Sequence, residues 1–115
     1  MVILGIDPGI AIVGYGIIEY KNNKFRVIDY GAVTTNANTP TDQRLALVYK
    51  GIDILIKNYN IDEVAIEELF FNKNVKTAIT VAQARGVIML ACTHNNKPIY
   101  EYTPLQVKQG VVGYG

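Results

Sequence analysis

The first nine residues constrain the fold of this chain more than any other stretch. Residues 2–4 (VIL) form an aliphatic run without alternation, which is typical of a strand buried on both faces. A single carboxylate, Asp7, follows the run, and Pro8 and Gly9 then force a turn. Such a strand can hold one acid rigidly at the sheet edge where ligands of α/β folds bind. Taken alone, however, Asp7 is better explained as an ordinary turn residue.

The composition indicates one globular domain over residues 1–115. Half of the residues are hydrophobic and 18% are charged, which is enough for a core. No stretch is long enough to span a membrane, and no secretory signal is recognisable at the start. Cys92 is the single cysteine, so an internal disulfide is excluded. We therefore expect a cytoplasmic protein without a membrane partner.

The charges are unevenly distributed although their sum is only +1. Residues 1–70 carry six Lys or Arg and nine Asp or Glu, whereas residues 71–115 carry five and one. A nuclease requires this combination, because acids hold metal ions and basic residues hold phosphates. For any single lysine, an ordinary solvated surface position is an equally good explanation.

The spacing of apolar residues predicts the order of the secondary structure. Short turns join the first strand to strands at residues 14–20 and 25–34, which favours an antiparallel meander. An amphipathic helix begins at about Thr41, and it returns the chain to a fourth strand that should run parallel to the first. The fourth strand and the later elements are predicted at residues 63–67 (strand), 74–95 (helix), 98–102 (strand) and 103–110 (helix).

This order is typical of the ribonuclease H-like class of α/β folds. In that class a mixed five-stranded sheet, with three antiparallel strands followed by two parallel ones, is flanked by helices. The first and fourth strands are expected to be neighbours, so the residues that end them should lie close together.

Two carboxylates end these neighbouring strands. Asp7 ends the first and Glu67 ends the fourth, and adjacent strand tips are about 5 Å apart. Carboxylates at that distance repel each other unless a cation lies between them. Oxygen ligands suit Mg²⁺, and a pair of such ions supports in-line attack on a phosphodiester. We expect both residues to be catalytic metal ligands; the alternative is that Glu67 is a surface acid beside Glu68.

Several short segments stand out in order along the chain: residues 4–9 (LGIDPG), 14–16 (GYG), 65–67 (AIE), 83–86 (QARG), 106–109 (QVKQ) and 111–113 (VVG). Together they resemble the RuvC family of Holliday junction resolvases. The resemblance implies a homodimeric endonuclease of DNA recombination and repair that makes paired nicks in a four-way DNA junction. It also implies two Mg²⁺ ions per subunit and a RuvA–RuvB branch-migration complex as partner.

Three further residues are predicted to bind DNA, and the resemblance supports two of them, Phe70 and Lys108. Phe70 matches an aromatic residue that the family uses against junction bases, as exposed aromatic rings can stack on unpaired bases. Lys108 matches a lysine near the scissile phosphate, and Lys73 is predicted to bind DNA from the loop after the fourth strand. The alternatives are a core pair of Phe70 with Phe71 and a solvated helix lysine at position 108.

The same resemblance matches Asp7 and Glu67 to two of the family's metal ligands. The remaining ligands of the family lie beyond Gly115, so we expect a domain that is incomplete at its C-terminal end. The long helix would form the dimer seam through small residues such as Ala82 and Gly86, although core packing explains small residues equally well.

Three other functions remain open at this point. A dimer that binds junctions without cleaving them would need only the acids and bases present here. A ribonuclease H-like nuclease that acts on RNA would share the fold. A sugar or acyl kinase-like protein also begins with a strand, Gly-Ile-Asp and a glycine turn, but it needs a second phosphate-binding glycine loop that this chain lacks.

Overall fold

The computed structural model describes residues 1–68 and 75–102, with the backbone alone at residues 75–76. The predicted order of strands and helices is confirmed there, with boundaries that move by one or two residues. The helix predicted at residues 103–110 lies outside the described residues. In chain order the elements are β1 (Val2–Asp7), β2 (Ile12–Lys21), β3 (Lys24–Thr34), α1 (Thr41–Asn58), β4 (Glu63–Glu67), α2 (Val75–His94) and β5 (Ile99–Tyr102).

The five strands form one mixed sheet in the order β3-β2-β1-β4-β5. β1, β2 and β3 pair antiparallel, whereas β4 pairs parallel with both β1 and β5. The prediction of three antiparallel strands followed by two parallel ones is therefore confirmed. β1 lies at the centre of the sheet because α1 crosses over it and returns the chain on its free side.

The turn between β2 and β3 explains the tight meander. Asn22 and Asn23 both have positive φ, at 54° and 62°. A two-residue hairpin turn with positive φ at both positions follows the natural twist of the strands, and asparagine tolerates that conformation. The hairpin therefore closes directly, and β3 becomes the antiparallel edge of the sheet.

One face of the sheet packs against both described helices. Side chains of alternate strand residues and of α1 and α2 form a single buried cluster, which removes them from water and supplies the main stabilisation of the fold. We call the strand side of this cluster the inner face. Its buried strand residues are Leu4, Ile6, Val13, Ile17, Val64 and Ile66.

The opposite, outer face is open in the part of the chain that the structure describes. The expectation that β1 is buried on both faces is wrong there: Leu4 and Ile6 are buried, whereas Ile3 and Gly5 are half-buried and Asp7 is exposed. Successive side chains point to opposite faces, and both described helices cover the inner one. The outer face is therefore accessible at the point where Asp7 ends β1.

No helix among the described residues is long and apolar enough to cross a bilayer.

Candidate active site

Asp7 and Glu67 are the last residues of two adjacent parallel strands. In the ladder between β1 and β4, Ile6 pairs with Ile66, so the next residue of each strand is one of the two acids. Ile6 and Ile66 are buried on the inner face, and the alternation of side chains turns both carboxylates to the outer face. The hydrophobic core thus fixes which way the acids point.

The carboxyl groups of Asp7 and Glu67 are close enough to interact, and this changes the acidity of Glu67. Its pKa is raised above the ordinary value of 4.5, first by partial burial, then by the negative charge of Asp7 and by the hydrogen bond between the two side chains. Ionised Glu67 is thus disfavoured first by its partial burial and then by the neighbouring charge of Asp7. A proton or a cation between the carboxylates would relieve the repulsion.

A cleft of about 380 Å³ opens beside the acids on the outer face. Glycine residues of β1 and β2 form much of its floor: a Cβ added at Gly16 would meet no atom within 4 Å, and one at Gly5 or Gly14 would make only ordinary contacts. The absence of side chains there leaves room against the backbone. Asp7, Glu67 and Tyr102 stand at the same cleft.

The donor set at this cleft fits a hard divalent cation. Both side chains offer carboxylate oxygens, which Mg²⁺ prefers, and Mg²⁺ retains several of its waters when few protein ligands are present. Within residues 1–68 and 75–102, no group of three or more His, Cys, Asp or Glu side chains could hold a metal ion. The described residues therefore supply a two-carboxylate site.

Glu68 is the residue that would form an ordinary surface pair with Glu67 in the alternative explanation. Its backbone is hydrogen-bonded to the end of β5. Its backbone N–H donates a hydrogen bond of 2.7 Å to the carbonyl oxygen of Tyr102, so the chain is still held beside β5 after Glu67. The end of β4 is therefore anchored on both sides, by β1 and by β5.

Three predicted site residues, Phe70, Lys73 and Lys108, lie outside the described residues. Their roles in DNA binding stay predictions, as do the metal-binding roles of Asp7 and Glu67.

Two structural features close to the acids were not predicted from the sequence. Tyr102 lines the cleft, and it pairs with Glu67 in the ladder between β4 and β5. Arg85 of α2 forms an ion pair with Glu101 of β5, with 2.7 Å between Nη2 and Oε1. The charge pattern gave one indication of this ion pair, because Glu101 is the only acid after Glu68 in the sequence.

A mixed sheet of this order, with two carboxylates at the tips of adjacent parallel strands, is the ribonuclease H-like fold. The family model of the crossover junction endodeoxyribonuclease RuvC matches residues 3–115, and the chain belongs to this family. The resemblance found in the short segments is thereby confirmed.

Individual relatives agree with this assignment. The RuvC protein of Clostridioides difficile (strain 630) is 82% identical over 115 residues, which are 100% of this chain and 68% of that protein. The RuvC protein of Alkaliphilus oremlandii (strain OhILAs) is 63% identical over the same length, which is 70% of that protein.

Among solved structures, Thermus thermophilus RuvC in complex with a Holliday junction substrate matches with a TM-score of 0.92 and 33% identity. That match covers 100% of this chain and 70% of the other. The yeast mitochondrial Holliday junction resolvase matches with a TM-score of 0.73 at 11% identity, covering 96% of this chain and 57% of that one, which shows a shared fold. RuvC nucleases generally depend on a divalent metal ion.

We predict that Glu67→Gln stabilises the metal-free protein at neutral pH. Because the folded state raises the pKa of Glu67, wild-type stability falls as the pH rises from about 4.5 through that raised value. The variant lacks this loss, so its advantage should appear above the pKa and fade as the pH is lowered. Thermal unfolding in EDTA between pH 4 and pH 8, a range chosen around the ordinary Glu pKa, measures the difference.

Glu63→Gln is the matched control, since Glu63 is a half-buried acid on the same face of β4, about 13 Å away along the strand. Two results would contradict a raised pKa of Glu67 in the folded protein. One is a Glu67→Gln variant that is no more stable than wild type at pH 8, and the other is an equal gain in stability by Glu63→Gln.

Proposed function

We propose that the protein resolves Holliday junctions by Mg²⁺-dependent paired nicking, with Asp7 and Glu67 as catalytic metal ligands. The proposal rests on the pairing of these carboxyl groups at adjacent strand tips, where partial burial and the charge of Asp7 both raise the pKa of Glu67. We also propose that residues 1–115 act as one nuclease domain. Membership of the RuvC family supports the choice of substrate.

The two acids have different surroundings and therefore different tasks. Asp7 is exposed at the mouth of the cleft, whereas Glu67 is half-buried against its wall. Glu67 would form the fixed side of the site, and Asp7 the side that faces solvent and substrate. When bound between them, Mg²⁺ would supply an activated water for attack and charge stabilisation for the leaving 3′ oxygen.

The proposal of two ions per subunit requires more ligands than the described residues contain. The resemblance to the family places the remaining acids beyond Gly115. A single ion can be held by two carboxylates and water, since Mg²⁺ keeps much of its hydration shell in such sites. Positioning a second ion for efficient cleavage would depend on the further acids.

Junction DNA is proposed to contact the protein through Phe70, Lys73 and Lys108. Lysines would neutralise phosphates, and an exposed aromatic ring would stack on an unpaired base at the junction. The matching T. thermophilus structure is a RuvC complex with a Holliday junction substrate, and this supports four-way junction DNA as the partner. By the same resemblance, we propose cytoplasmic action with the RuvA–RuvB branch-migration complex.

We predict that Asp7→Asn and Glu67→Gln each abolish nicking of a synthetic four-way junction in Mg²⁺ but leave junction binding intact. Each substitution removes one anionic ligand and changes the volume of the side chain little. End-labelled junctions and a linear duplex, assayed for both band shift and nicking, measure cleavage and recognition separately. Glu63→Gln should cleave like wild type, because it changes the same strand and face away from the acid pair.

The other functions correspond to distinct outcomes. A wild-type protein that shifts the junction without nicking it would be a junction-binding module. A protein that cuts an RNA–DNA hybrid in preference to the junction would be a nuclease of RNA. Nicking that persists in Asp7→Asn would contradict the assigned site.

We propose that the homodimer forms through an exposed stripe of α2. Ile79 and Leu90 are 54% and 48% exposed, and Gly86 lies between them on the same side of the helix. A Cβ at Gly86 would meet no atom within 4 Å, so packing among the described residues does not require glycine there. The opposite side of α2 is buried in the core, which leaves an apolar stripe that a second copy of the same helix could cover.

We predict that Leu90→Glu converts the dimer to a monomer, because a charge in an apolar seam would be desolvated without a partner. Leu47→Glu is the control: Leu47 lies on α1 and is also 48% exposed. Sedimentation equilibrium measures the mass of each variant. If Leu90→Glu remains dimeric, or if Leu47→Glu dissociates to the same extent, the α2 stripe is not the seam.

A further inference from the structure

Arg85 is a largely buried arginine that joins α2 to the last strand of the sheet. Its side chain is 18% exposed, and Nη2 lies 2.7 Å from Oε1 of Glu101. Nη1 lies 3.3 Å from the sulfur of Met89, one helical turn along α2. Ala84 and Ile88, on either side of it in the helix, are fully buried. The guanidinium group therefore sits at the margin of the core rather than on the surface.

This placement is unfavourable as a device for stability alone. Within the described residues, Nε of Arg85 is buried and has no hydrogen-bond partner. An unmet donor and a desolvated charge both oppose burial, and apolar side chains of similar volume are often as stable or more stable at such positions. The ion pair must therefore be explained by what it positions.

Glu101 lies next to the acid site in the ladder of β4 and β5. It pairs with Ile66, and the following pair is Glu67 with Tyr102. β5 has only four residues and one neighbouring strand among the described elements, so few backbone bonds hold its tip. The ion pair thus connects the end of β5 to α2 at Glu101, the residue directly before Tyr102, which lines the cleft.

Because successive side chains point to opposite faces, holding Glu101 on the inner face also holds the next residue, Tyr102, on the outer face. Glu101 lies on the inner face with its partner Ile66, and Tyr102 therefore lies on the outer face with Glu67. Tyr102 lines the cleft beside the two acids, and its carbonyl oxygen accepts the hydrogen bond from the N–H of Glu68. A shift of the β5 tip would move both the wall of the cleft and the segment that follows Glu67.

We propose that Arg85 is a positioning residue for the acid site, and that it acts through Glu101 by holding Tyr102 as the side wall of the cleft next to Glu67. This inference rests on the proposed nuclease function. It gives Arg85 no contact with the reacting atoms, so its loss should slow the cleavage step and leave recognition of the junction unchanged.

The test is a double-mutant cycle of Arg85→Met and Glu101→Gln in the full-length protein. Single-turnover cleavage of a four-way junction in Mg²⁺, the junction dissociation constant and the midpoint of thermal unfolding are measured for each variant. Each single variant should cleave about tenfold more slowly, a typical cost of losing a supporting contact to an active site. The double variant should be no slower than either single one, because both remove the same pair.

Two further variants make the inference specific. Arg26→Met removes an exposed ion pair with Glu19 on the β2–β3 hairpin and should leave the cleavage rate unchanged. Tyr102→Ala removes the proposed wall, so adding Arg85→Met to it should slow cleavage no further. The double variant Arg85→Met with Glu101→Gln should keep or raise the unfolding midpoint, since it replaces both charges of the pair with uncharged side chains.

Several results would overturn the inference. These are normal cleavage by both single variants, multiplicative losses in the double variant, weakened junction binding that accounts for the slower rate, or a loss that follows a lowered unfolding midpoint. Failure of the wild-type protein to cleave would instead refute the proposed function. The two failures can therefore be told apart.

Discussion

The parallel pairing of β1 and β4 is the constraint on which the rest of the structure depends. It makes β1 the central strand, with β2 on one side and β4 on the other, and it sets the register in which Ile6 lies beside Ile66. Those two side chains are buried in the core, so neither strand can slip by one residue without turning its own isoleucine away from the core. The same register brings Asp7 and Glu67 together, and hydrophobic packing thereby holds two like charges in a position that their repulsion opposes.

The open outer face follows from how the sheet uses its two sides. The helices and the aliphatic strand residues occupy the inner face, while glycines line the floor of the cleft beside the acids. The lack of side chains on these glycines leaves the strand tips accessible. The two carboxylates there would favour a positively charged ligand. β5 closes the side of the cleft through Tyr102, and the Arg85–Glu101 pair connects that wall to α2. The proposed active site thus lies at the ends of three adjacent parallel strands, β1, β4 and β5.

Much of this could be predicted from the sequence, because the signals were local. The aliphatic run before Asp7, the asparagine turn after β2 and the spacing of apolar residues in α1 each define one element, and short connections define the order. The exposure of one face of β1 could not be predicted, since an unbroken aliphatic run does not say which side a helix will cover. The cleft position of Tyr102 could not be predicted either, because it depends on the register between β4 and β5. The charge pattern singles out Glu101, but its pairing with Arg85 depends on how α2 packs across the sheet. Phe70, Lys73 and Lys108 fall outside the described residues, and their assignment to DNA binding remains a prediction.

A cation bound by Asp7 and Glu67 would explain why the fold keeps two mutually repelling carboxylates together. Binding of Mn²⁺, followed by electron paramagnetic resonance in the absence of DNA, tests this proposal and does not depend on cleavage. We expect the wild-type protein and Glu63→Gln to bind the ion with the same affinity, and Asp7→Asn and Glu67→Gln both to bind it much more weakly. Equal Mn²⁺ affinity in all four proteins would overturn the proposal, because the ion would then be held elsewhere and the acid pair would have no cation to bind.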